Sequence, residues 1–236
     1  CRDRRCRALA ILLGVLLGGP SQAQTVDPRL WGTDINGTVL AVAQSGNTIY
    51  VGGTFHSVAP VSGGGVPFHA RSGEPFAAYP RVAGSVFAVI PDGAGGWFIG
   101  GQFSGVDGKP RANLAHLLSG GEVASWAPNP DGGVYALALA GSRLFVGGAF
   151  TKVGDDPHDN LAAVDIVTGL PHPWSASTNS GVWSLLIDGN RVIAGGYFTS
   201  AGGQSRNRIA AFDLSSGSIT DWNPSADAPV LALASQ

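Results

Sequence analysis

Apolar residues recur along this chain in short runs that alternate with polar or small residues. The segment VYALALAG at 134–141 alternates, a tight turn follows, and RLFVGGAF at 143–150 resumes the apolar pattern. A period of two predicts β-strands, and turns such as Ser45-Gly46-Asn47 and Asp188-Gly189-Asn190 are typical of β-hairpins. No long stretch keeps a helical period, so the hydrophobic pattern predicts an all-β protein.

The hydrophobic pattern repeats about every 48 residues. A Gly-Gly-x-Phe signature ends at Phe55, Phe103, Phe150 and Phe198. An aromatic residue stands 24 positions before each of these, and a further Trp continues the series: Trp31, Tyr79, Trp126, Trp174 and Trp222. A Val opens each following apolar run: Val39, Val86, Val134, Val182 and Val230. Independent landmarks that stay in phase over five cycles show an internal repeat.

Each repeat has the pattern of four strands. After the two strands of the hairpin comes a longer loop, then a third strand such as NLAAVDIV at 160–167, then a turn at Thr168-Gly169 and a short fourth strand ending at Trp174. Four antiparallel strands at this period predict the blades of a β-propeller. The predicted blades are 39–79, 86–126, 134–174 and 182–222. Residues 24–38 are expected to form an N-terminal closing strand, and 230–236 the start of a truncated fifth blade, so the propeller is expected to be incomplete.

The paired glycines inside strands need a physical reason, because Gly weakens a strand unless something approaches it closely. We hypothesise that each pair makes room for an aromatic ring of the Trp series, with the indole N–H bonded to a carbonyl. A phosphate-binding loop is the alternative, but these pairs lie inside strands and not before a helix. The residues given this structural role are Trp31, Tyr79, Trp126, Trp174, Trp222, Gly147, Gly148, Gly195 and Gly196.

The repeat motif resembles a known family. VGG-x-F, then G-x-x-R-x-N-[LI]-A, then D-x-x-[TS]-G-x-x-x-x-W-x-P is similar to the delta-60 repeat propellers of secreted bacterial proteins, best at 103–128 and 198–224. The first repeat departs from it, with His69 where later repeats have Asp165 and Asp213. The resemblance implies a propeller fold and secretion, and it carries over no catalytic residues.

A more distant resemblance concerns residues 163–174. A-x-D-x-x-T-G followed by Trp is similar to the tryptophan-docking motif of pyrroloquinoline-quinone dehydrogenases, which staples blades together. Four residues separate Gly169 from Trp174, where that family has three, and the adjacent cysteines of many such enzymes are missing. The likeness therefore implies shared blade packing and not shared catalysis.

The first 23 residues have the pattern of a secretory signal peptide. An arginine-rich segment precedes an apolar run at 8–18 and the small-residue cleavage site Ser21-Gln22-Ala23. The apolar run is too short to anchor the chain across a bilayer, and no second run of spanning length follows. We therefore predict a secreted, periplasmic or cell-surface protein without a membrane span after cleavage.

Composition beyond the leader narrows the classes of function. Both cysteines, Cys1 and Cys6, lie in the leader, so neither a disulfide nor a thiolate metal site is expected after it. Residues 24–236 hold ten basic and fifteen acidic residues, a net charge of −5. A mildly acidic chain without basic clusters gives nucleic acid little to bind, so no nucleic-acid partner is expected.

Two groups of loop residues are candidate ligand-binding residues. An Asn or Asp follows each Trp by five positions, and a ring of these near the axis could hold a cation or sugar hydroxyls, although Asx-turns explain the same residues. The members of this ring are Asn36, Asp131, Asn179 and Asp227. The basic residues Lys109, Arg111 and Arg206 could bind an anion. The alternative for the two in-phase arginines is a blade-stapling ion pair with Asp165 or Asp213.

The loop at 151–160 contains the densest polar cluster. Asp155, Asp156 and His158 are weak candidates for a metal site because two ligand types lie close together. Their spacing matches neither an EF-hand nor a zinc pattern, and Pro157 interrupts it, so a solvated acidic loop is the alternative. No catalytic residue and no cofactor is predicted, because a catalytic triad or carboxylate pair is recognised by geometry.

All the strong signals are packing or turn signals, which favours a non-enzymatic binding or display scaffold whose partner is an unknown protein or glycan. Two alternatives stay open at this point. One is a propeller enzyme, either a quinoprotein-like oxidoreductase or a carbohydrate-active lyase or hydrolase. The other is a purely structural repeat of a larger surface protein.

Overall fold

The computed structural model describes residues 37–58, 63–76 and 79–235. All regular secondary structure in these residues is β-strand, and they contain no helix long and apolar enough to cross a membrane. The strands are β1 Val39–Ser45, β2 Thr48–Gly53, β3 Gly63–His69, β4 Val82–Pro91, β5 Trp97–Val106, β6 Lys109–Pro110, β7 Leu114–Leu117, β8 Gly133–Ala140, β9 Arg143–Ala149, β10 Lys152–Val153, β11 Asp156–Pro157, β12 Leu161–Asp165, β13 Val182–Asp188, β14 Arg191–Gly196, β15 Ser200–Ala201, β16 Gln204–Ser205 and β17 Ile209–Asp213. Most of the predicted closing strand at 24–38, with Trp31, lies outside the described residues, and its last two residues, Gly37 and Thr38, are not in a strand.

The strands form four successive antiparallel units, which we call blades 1 to 4. Their strand orders are β1-β2-β3, β4-β5-β7, β8-β9-β12 and β13-β14-β17. The fourth strand expected in each blade is a single bridge to the third strand: Phe68–Pro75, Leu117–Val123, Val164–Pro171 and Phe212–Ile219. The all-β, incomplete propeller predicted from the repeat is confirmed.

The core lies between blades. One hydrophobic cluster joins Tyr50 of blade 1 to Trp97 and Leu117 of blade 2, and two further clusters join blades 2 and 3 and blades 3 and 4 in the same way. Blades 2 and 3 therefore bury both faces against their neighbours, as stacked sheets around an axis do. The first strands of consecutive blades lie beside one another, which makes them the innermost strands.

The first glycine of each pair contacts the valine that opens the next blade. A Cβ added to this glycine would lie 2.5 to 2.7 Å from a valine Cγ1, in the pairs Gly52–Val86, Gly100–Val134, Gly147–Val182 and Gly195–Val230. The hypothesis that the pairs make room for aromatic rings is therefore wrong. The close approach is real, but the approaching group is a β-branched side chain on the innermost strand of the neighbouring sheet.

The second glycine of each pair faces the backbone of its own blade. A Cβ on Gly148 would lie 2.1 Å from the Gly133 carbonyl oxygen. Gly53, Gly101 and Gly196 meet carbonyls in, or directly before, the first strands of their own blades at 2.0 to 2.2 Å. The register shifts at this point in all four blades, between Val134 and Ala136 in blade 3. The glycine allows the bulged first strand to lie against the second.

The indole rings dock on the next blade, as expected, but over a different glycine. The Trp126 Nε1–H donates to the Asp165 carbonyl at 2.9 Å, and the Trp174 Nε1–H donates to the Asp213 carbonyl at 3.0 Å. Trp126 packs on Gly169, the turn glycine between the third strand and the bridge. This turn glycine has φ +75°, a backbone conformation that favours residues without a Cβ.

Blade 1 carries a feature that the repeat did not predict. Its third strand pairs in parallel with the start of β4 through Gly63 and Gly64, which links blades 1 and 2 into one sheet. A Cβ on either glycine would lie 2.1 Å from a carbonyl oxygen of that neighbouring segment. Gly63 and Gly64 therefore permit a backbone contact that the other described blades do not make.

Candidate binding surfaces

The innermost strands surround a central cavity of about 230 Å³. It is lined by 40–42, 87–90, 135–137, 183–186 and 233–235, which are corresponding segments of the five repeats. Val230 packs on Gly195 as the earlier valines pack on their glycines, so the fifth repeat begins in register with the others. The cavity is therefore the axial channel of the propeller.

Aromatic rings that line this channel contact one another in series, and one ring outside the lining, that of Tyr197, extends the series. Phe87 contacts Tyr135 with ring centroids 5.6 Å apart, Tyr135 stacks on Trp183 at 4.4 Å, and Trp183 contacts Tyr197 at 5.8 Å. Trp183 is 42% exposed and Tyr197 44%. We call these four rings the axial ladder.

The sequence carried a signal for the axial ladder that the repeat analysis missed. The residue directly after the in-phase valine is apolar in every repeat: Leu40, Phe87, Tyr135, Trp183 and Leu231. Alternation places this residue on the face opposite the buried valine. A large apolar residue recurring on the open face of an innermost strand indicates a shared axial surface.

The Asn and Asp residues that connect consecutive blades form hydrogen bonds with the next blade, just after its second strand. The Asp131 Oδ1 accepts the backbone N–H groups of Thr151 and Lys152 at 2.7 and 2.9 Å, and Oδ2 accepts the Thr151 hydroxyl at 2.6 Å. Asn179 makes the equivalent contacts with Thr199 and Ser200. Burial acts to raise the pKa of Asp131, but these hydrogen bonds outweigh it and hold the pKa below its usual value.

The other two members of the predicted ring are Asn36 and Asp227. Asn36 lies outside the described residues, and Asp227 is exposed at the end of blade 4. The structure therefore brings Asp131 and Asn179 to equivalent positions but uses their oxygens within the fold. Ligand binding by this ring stays a prediction.

Basic side chains clamp the outer edge of blades 2 and 4. The Arg111 Nη2 donates to the Ala124 carbonyl, the Arg206 Nη2 donates to the Thr220 carbonyl at 2.9 Å, and the Lys109 Nζ donates to the Val123 carbonyl at 3.2 Å. The expected ion pairs of Arg111 and Arg206 with Asp165 or Asp213 are not formed. A carbonyl of the same blade is the partner, because the arginine lies on the hairpin that folds over the bridged segment.

Asp165 and Asp213 instead close their own turns. Asp213 Oδ1 accepts the hydroxyl and N–H of Ser215 at 2.6 and 3.1 Å and those of Ser216 at 2.8 Å each. These bonds, with that from the Ser215 hydroxyl the strongest, lower the pKa of Asp213 to about 2. Asp165 accepts from Val167 and Thr168 in the same way, and its pKa is lowered as well.

Blade 2 contains a partly buried acid–imidazole pair that sequence analysis did not identify. The Asp92 Oδ2 lies 2.9 Å from the His116 Nε2, while Asp92 Oδ1 accepts the N–H groups of Ala94 and Gly96. Burial acts to raise the pKa of Asp92, but these bonds outweigh it and the pKa falls below its usual value. His116 also stacks on Phe98, so the pair fixes the hairpin between β4 and β5.

A second cavity, of about 550 Å³, lies at the outer edge of blade 3. It is bounded by the hairpin of β10 and β11 and by the segment that leads into blade 4. Its lining includes Asp156, His158, Asp159, His172 and Trp174. We call it the blade-3 cavity.

The weak candidates for a metal site fall around this cavity. Asp156 and His158 line it, and Asp155 does not. Across the described ranges, no group of three or more His, Cys, Asp or Glu residues is arranged to hold a metal ion. Burial lowers the pKa of His158 below its usual value, although Asp156 and Asp159 act in the opposite direction.

Comparison with known families supports the repeat identified from sequence. A family model described as "Domain of unknown function (DUF5122) beta-propeller" matches residues 190–219, which run from the hairpin of blade 4 to its bridge. The match supports a β-propeller repeat family of the delta-60 type over this short stretch. No curated protein matches the chain.

Solved structures of designed proteins resemble the fold. The crystal structure of the computationally designed Ika4 protein gives a TM-score of 0.52 at 16% sequence identity, covering 76% of this chain and 92% of that chain. The crystal structure of the computationally designed Ika8 protein covers 84% of this chain and 65% of that chain, at 16% identity and a TM-score of 0.47. At this identity the likeness to Ika4 shows the fold alone.

Proposed function

We propose that this chain is an exported, non-enzymatic binding scaffold that holds a glycan on the axial ladder. Export is inferred from the leader at 1–23, whose basic, apolar and small-residue segments have the order of a signal peptide. The repeat supplies the rigid frame. The ladder supplies the contact surface.

The continuous contact of four rings, three of which line the channel, carries this proposal. Phe87, Tyr135 and Trp183 come from three consecutive blades, so the fold itself aligns them. The face of an aromatic ring carries negative partial charge, and it therefore attracts the polarised C–H groups of a sugar ring. Nearly half of the Trp183 and Tyr197 surface is open to such a contact.

The hydrogen bonding of the loop acids, none of which lines the channel, favours binding over turnover. Three acidic residues were considered in the sequence analysis: Asp131, Asp165 and Asp213. Their carboxylates accept hydrogen bonds from backbone N–H and hydroxyl groups of the chain itself. Hydrogen-bonded carboxylates with lowered pKa values are poor general acids at neutral pH.

A glycan microarray probed with the full chain tests the proposal, followed by calorimetry on the strongest glycan. Trp183→Ala is expected to weaken binding about tenfold or more, because it removes the central ring of the ladder. Val167→Ala is the matched control, since Val167 is 80% exposed and does not line the channel. Its affinity should equal that of the wild type.

Three outcomes contradict the proposal. An equal loss of affinity in both variants would show that the ladder is not the site. Release of a shortened or oxidised glycan during the assay would show an enzyme. Binding to a co-purifying protein, with no glycan bound at any concentration, would show that the ligand is a protein and not a glycan.

A further inference from the structure

The outer edge of blade 3 lacks the arginine that blades 2 and 4 carry at a shared repeat position. Arg111, His158 and Arg206 each stand eight residues after the Phe of their signature. Their backbone N–H groups make the same bond, to the carbonyls of the residues that follow those Phe side chains, at 3.2, 2.8 and 3.0 Å. The three positions are therefore structurally equivalent, and only the side chain changes.

The facing segment is equivalent as well. The N–H groups of Ala124, His172 and Thr220 donate to the corresponding third strands at 3.0, 2.7 and 2.9 Å. In blades 2 and 4 a guanidinium bonds to the carbonyl of this facing residue. In blade 3 the His172 carbonyl accepts the backbone N–H of Trp174 at 2.6 Å. No side chain of the described residues donates to it, because the imidazole at 158 is shorter than an arginine. The second lone pair of this carbonyl is therefore left for a further donor.

The blade-3 cavity occupies the place that the guanidinium covers in its neighbours. His158 and His172 lie among its lining residues, on the two sides that the arginine joins in blades 2 and 4. The His172 Nδ1 is buried and has no hydrogen-bond partner in the described part of the chain. A cavity of about 550 Å³ lies within the range of ~300–1,000 Å³ typical of small-ligand pockets.

The charge of the edge is also reversed in blade 3. Asp156 stands where blade 2 has Lys109, and Asp159 stands where it has Ala112. Burial lowers the pKa of His158, so a neutral imidazole faces the cavity at neutral pH. Two carboxylates, with no Lys or Arg among the lining residues of the described chain, make the cavity attractive to a positively charged ligand.

We propose that the blade-3 cavity binds a guanidinium group, supplied by an arginine side chain of a ligand. The His172 carbonyl takes the contact that the Ala124 and Thr220 carbonyls make within the chain. Asp156 or Asp159 pairs with the planar guanidinium, which matches carboxylate geometry better than an ammonium does. The proline rings of Pro157, Pro171 and Pro173 line the cavity beside the aliphatic stem. This site lies at the outer edge of the blade and is independent of the axial ladder.

Calorimetry with capped tripeptides tests the proposal on the full chain. Acetyl-Gly-Arg-Gly-amide should bind with one site per chain, while the Lys and citrulline analogues should bind about tenfold more weakly or not at all. Citrulline keeps the shape and loses the charge, and Lys keeps the charge and loses the planar fork. Equal affinity for all three peptides would overturn the proposal.

His158→Arg is the decisive variant, because it restores the side chain that blades 2 and 4 use. It should fill the cavity from within and weaken binding of the arginine peptide about tenfold or more, with near-ultraviolet circular dichroism unchanged. Unchanged affinity in this folded variant would overturn the proposal.

If His158→Arg fails to fold, two variants that remove the same charge test the proposed guanidinium site instead. Asp159→Asn should weaken the arginine peptide about three- to tenfold, because it removes a carboxylate that lines the cavity. Asp155→Asn removes the same charge from the same hairpin but outside the lining, and it should leave the affinity unchanged. Equal effects would show general electrostatic attraction and overturn the site.

Free arginine amide distinguishes the two sources of the guanidinium. Binding as tight as that of the tripeptide would assign the cavity to small guanidino compounds, which contradicts the arginine-side-chain part of the proposal. Tighter binding of the tripeptide would support a peptide or protein ligand.

Discussion

A missing Cβ decides how closely the blades approach one another. At Gly147 an added Cβ would lie 2.7 Å from the Val182 Cγ1 of the next blade, closer than real Cβ contacts come. Gly147→Ala should therefore destabilise the protein by about 1–3 kcal/mol through overpacking. Urea unfolding measures this. Gly120→Ala is the control, since no atom lies within 4 Å of its added Cβ.

The valine partner makes this prediction specific. Val182→Ala in the Gly147→Ala background removes the clashing methyl groups, so the double variant should lose less stability than the two single losses added together. Strict additivity would show that the alanine is accommodated elsewhere and would contradict the contact.

Sequence periodicity identified both partners of this contact but not the contact itself. Glycine pairs and valines recur in phase, which shows that they matter to every blade. A shared position in the repeat does not reveal which residue of the next blade a given residue contacts. The arginine clamp was missed for a related reason: Arg111 and Arg206 bond to backbone carbonyls, which every residue carries and which leave no mark in the sequence.

Turns between the third strand and the bridge are the elements that the sequence predicted best. The D-x-x-[TS]-G motif predicted a turn, and Asp213 accepts hydrogen bonds from Ser215 and Ser216 in it. The fourth strand was overestimated, because a short polar segment after such a turn makes only one bridge, as between Phe212 and Ile219. The small hairpins of β10 with β11 and β15 with β16 were read as loops, since two-residue strands have no periodicity to detect.

The turn of blade 4 should make stability depend on pH in acid. The pKa of Asp213 is about 2 in the folded chain, below the ordinary value near 3.9 expected when unfolded. Its ionised carboxylate therefore stabilises the fold fully above about pH 4, and this contribution is lost as the pH falls through about 2. The free energy of unfolding should decrease over this window.

Asp213→Asn isolates that contribution. The amide oxygen can still accept hydrogen bonds but carries no charge, so the wild type should be more stable than the variant at pH 7 and approach it at pH 2. Asp227→Asn is the control, because Asp227 is exposed and lies outside any such turn. A stability difference that stays constant from pH 7 to pH 2 would contradict the assignment.

Over the whole molecule, each blade is held by its neighbours through the same few contacts. The indole of one blade reaches the turn carbonyl of the next, and the hydrophobic clusters join adjacent blades in pairs. In such an array stability is close to a sum of unit and nearest-neighbour terms. Weakening one interface should therefore loosen the end of the array beyond it more than the rest.

Trp174→Phe tests this by removing the Nε1–H bond to the Asp213 carbonyl while keeping a ring over the turn. The loss should be about 1–2 kcal/mol, with hydrogen-exchange protection falling more in β13, β14 and β17 than in β4 and β5. Trp222→Phe is the matched control, because this half-buried indole docks on no further turn among the described residues. A uniform fall in protection across blades 2, 3 and 4 would show instead that the blades unfold as one cooperative unit, and that the interfaces act together and not in sequence.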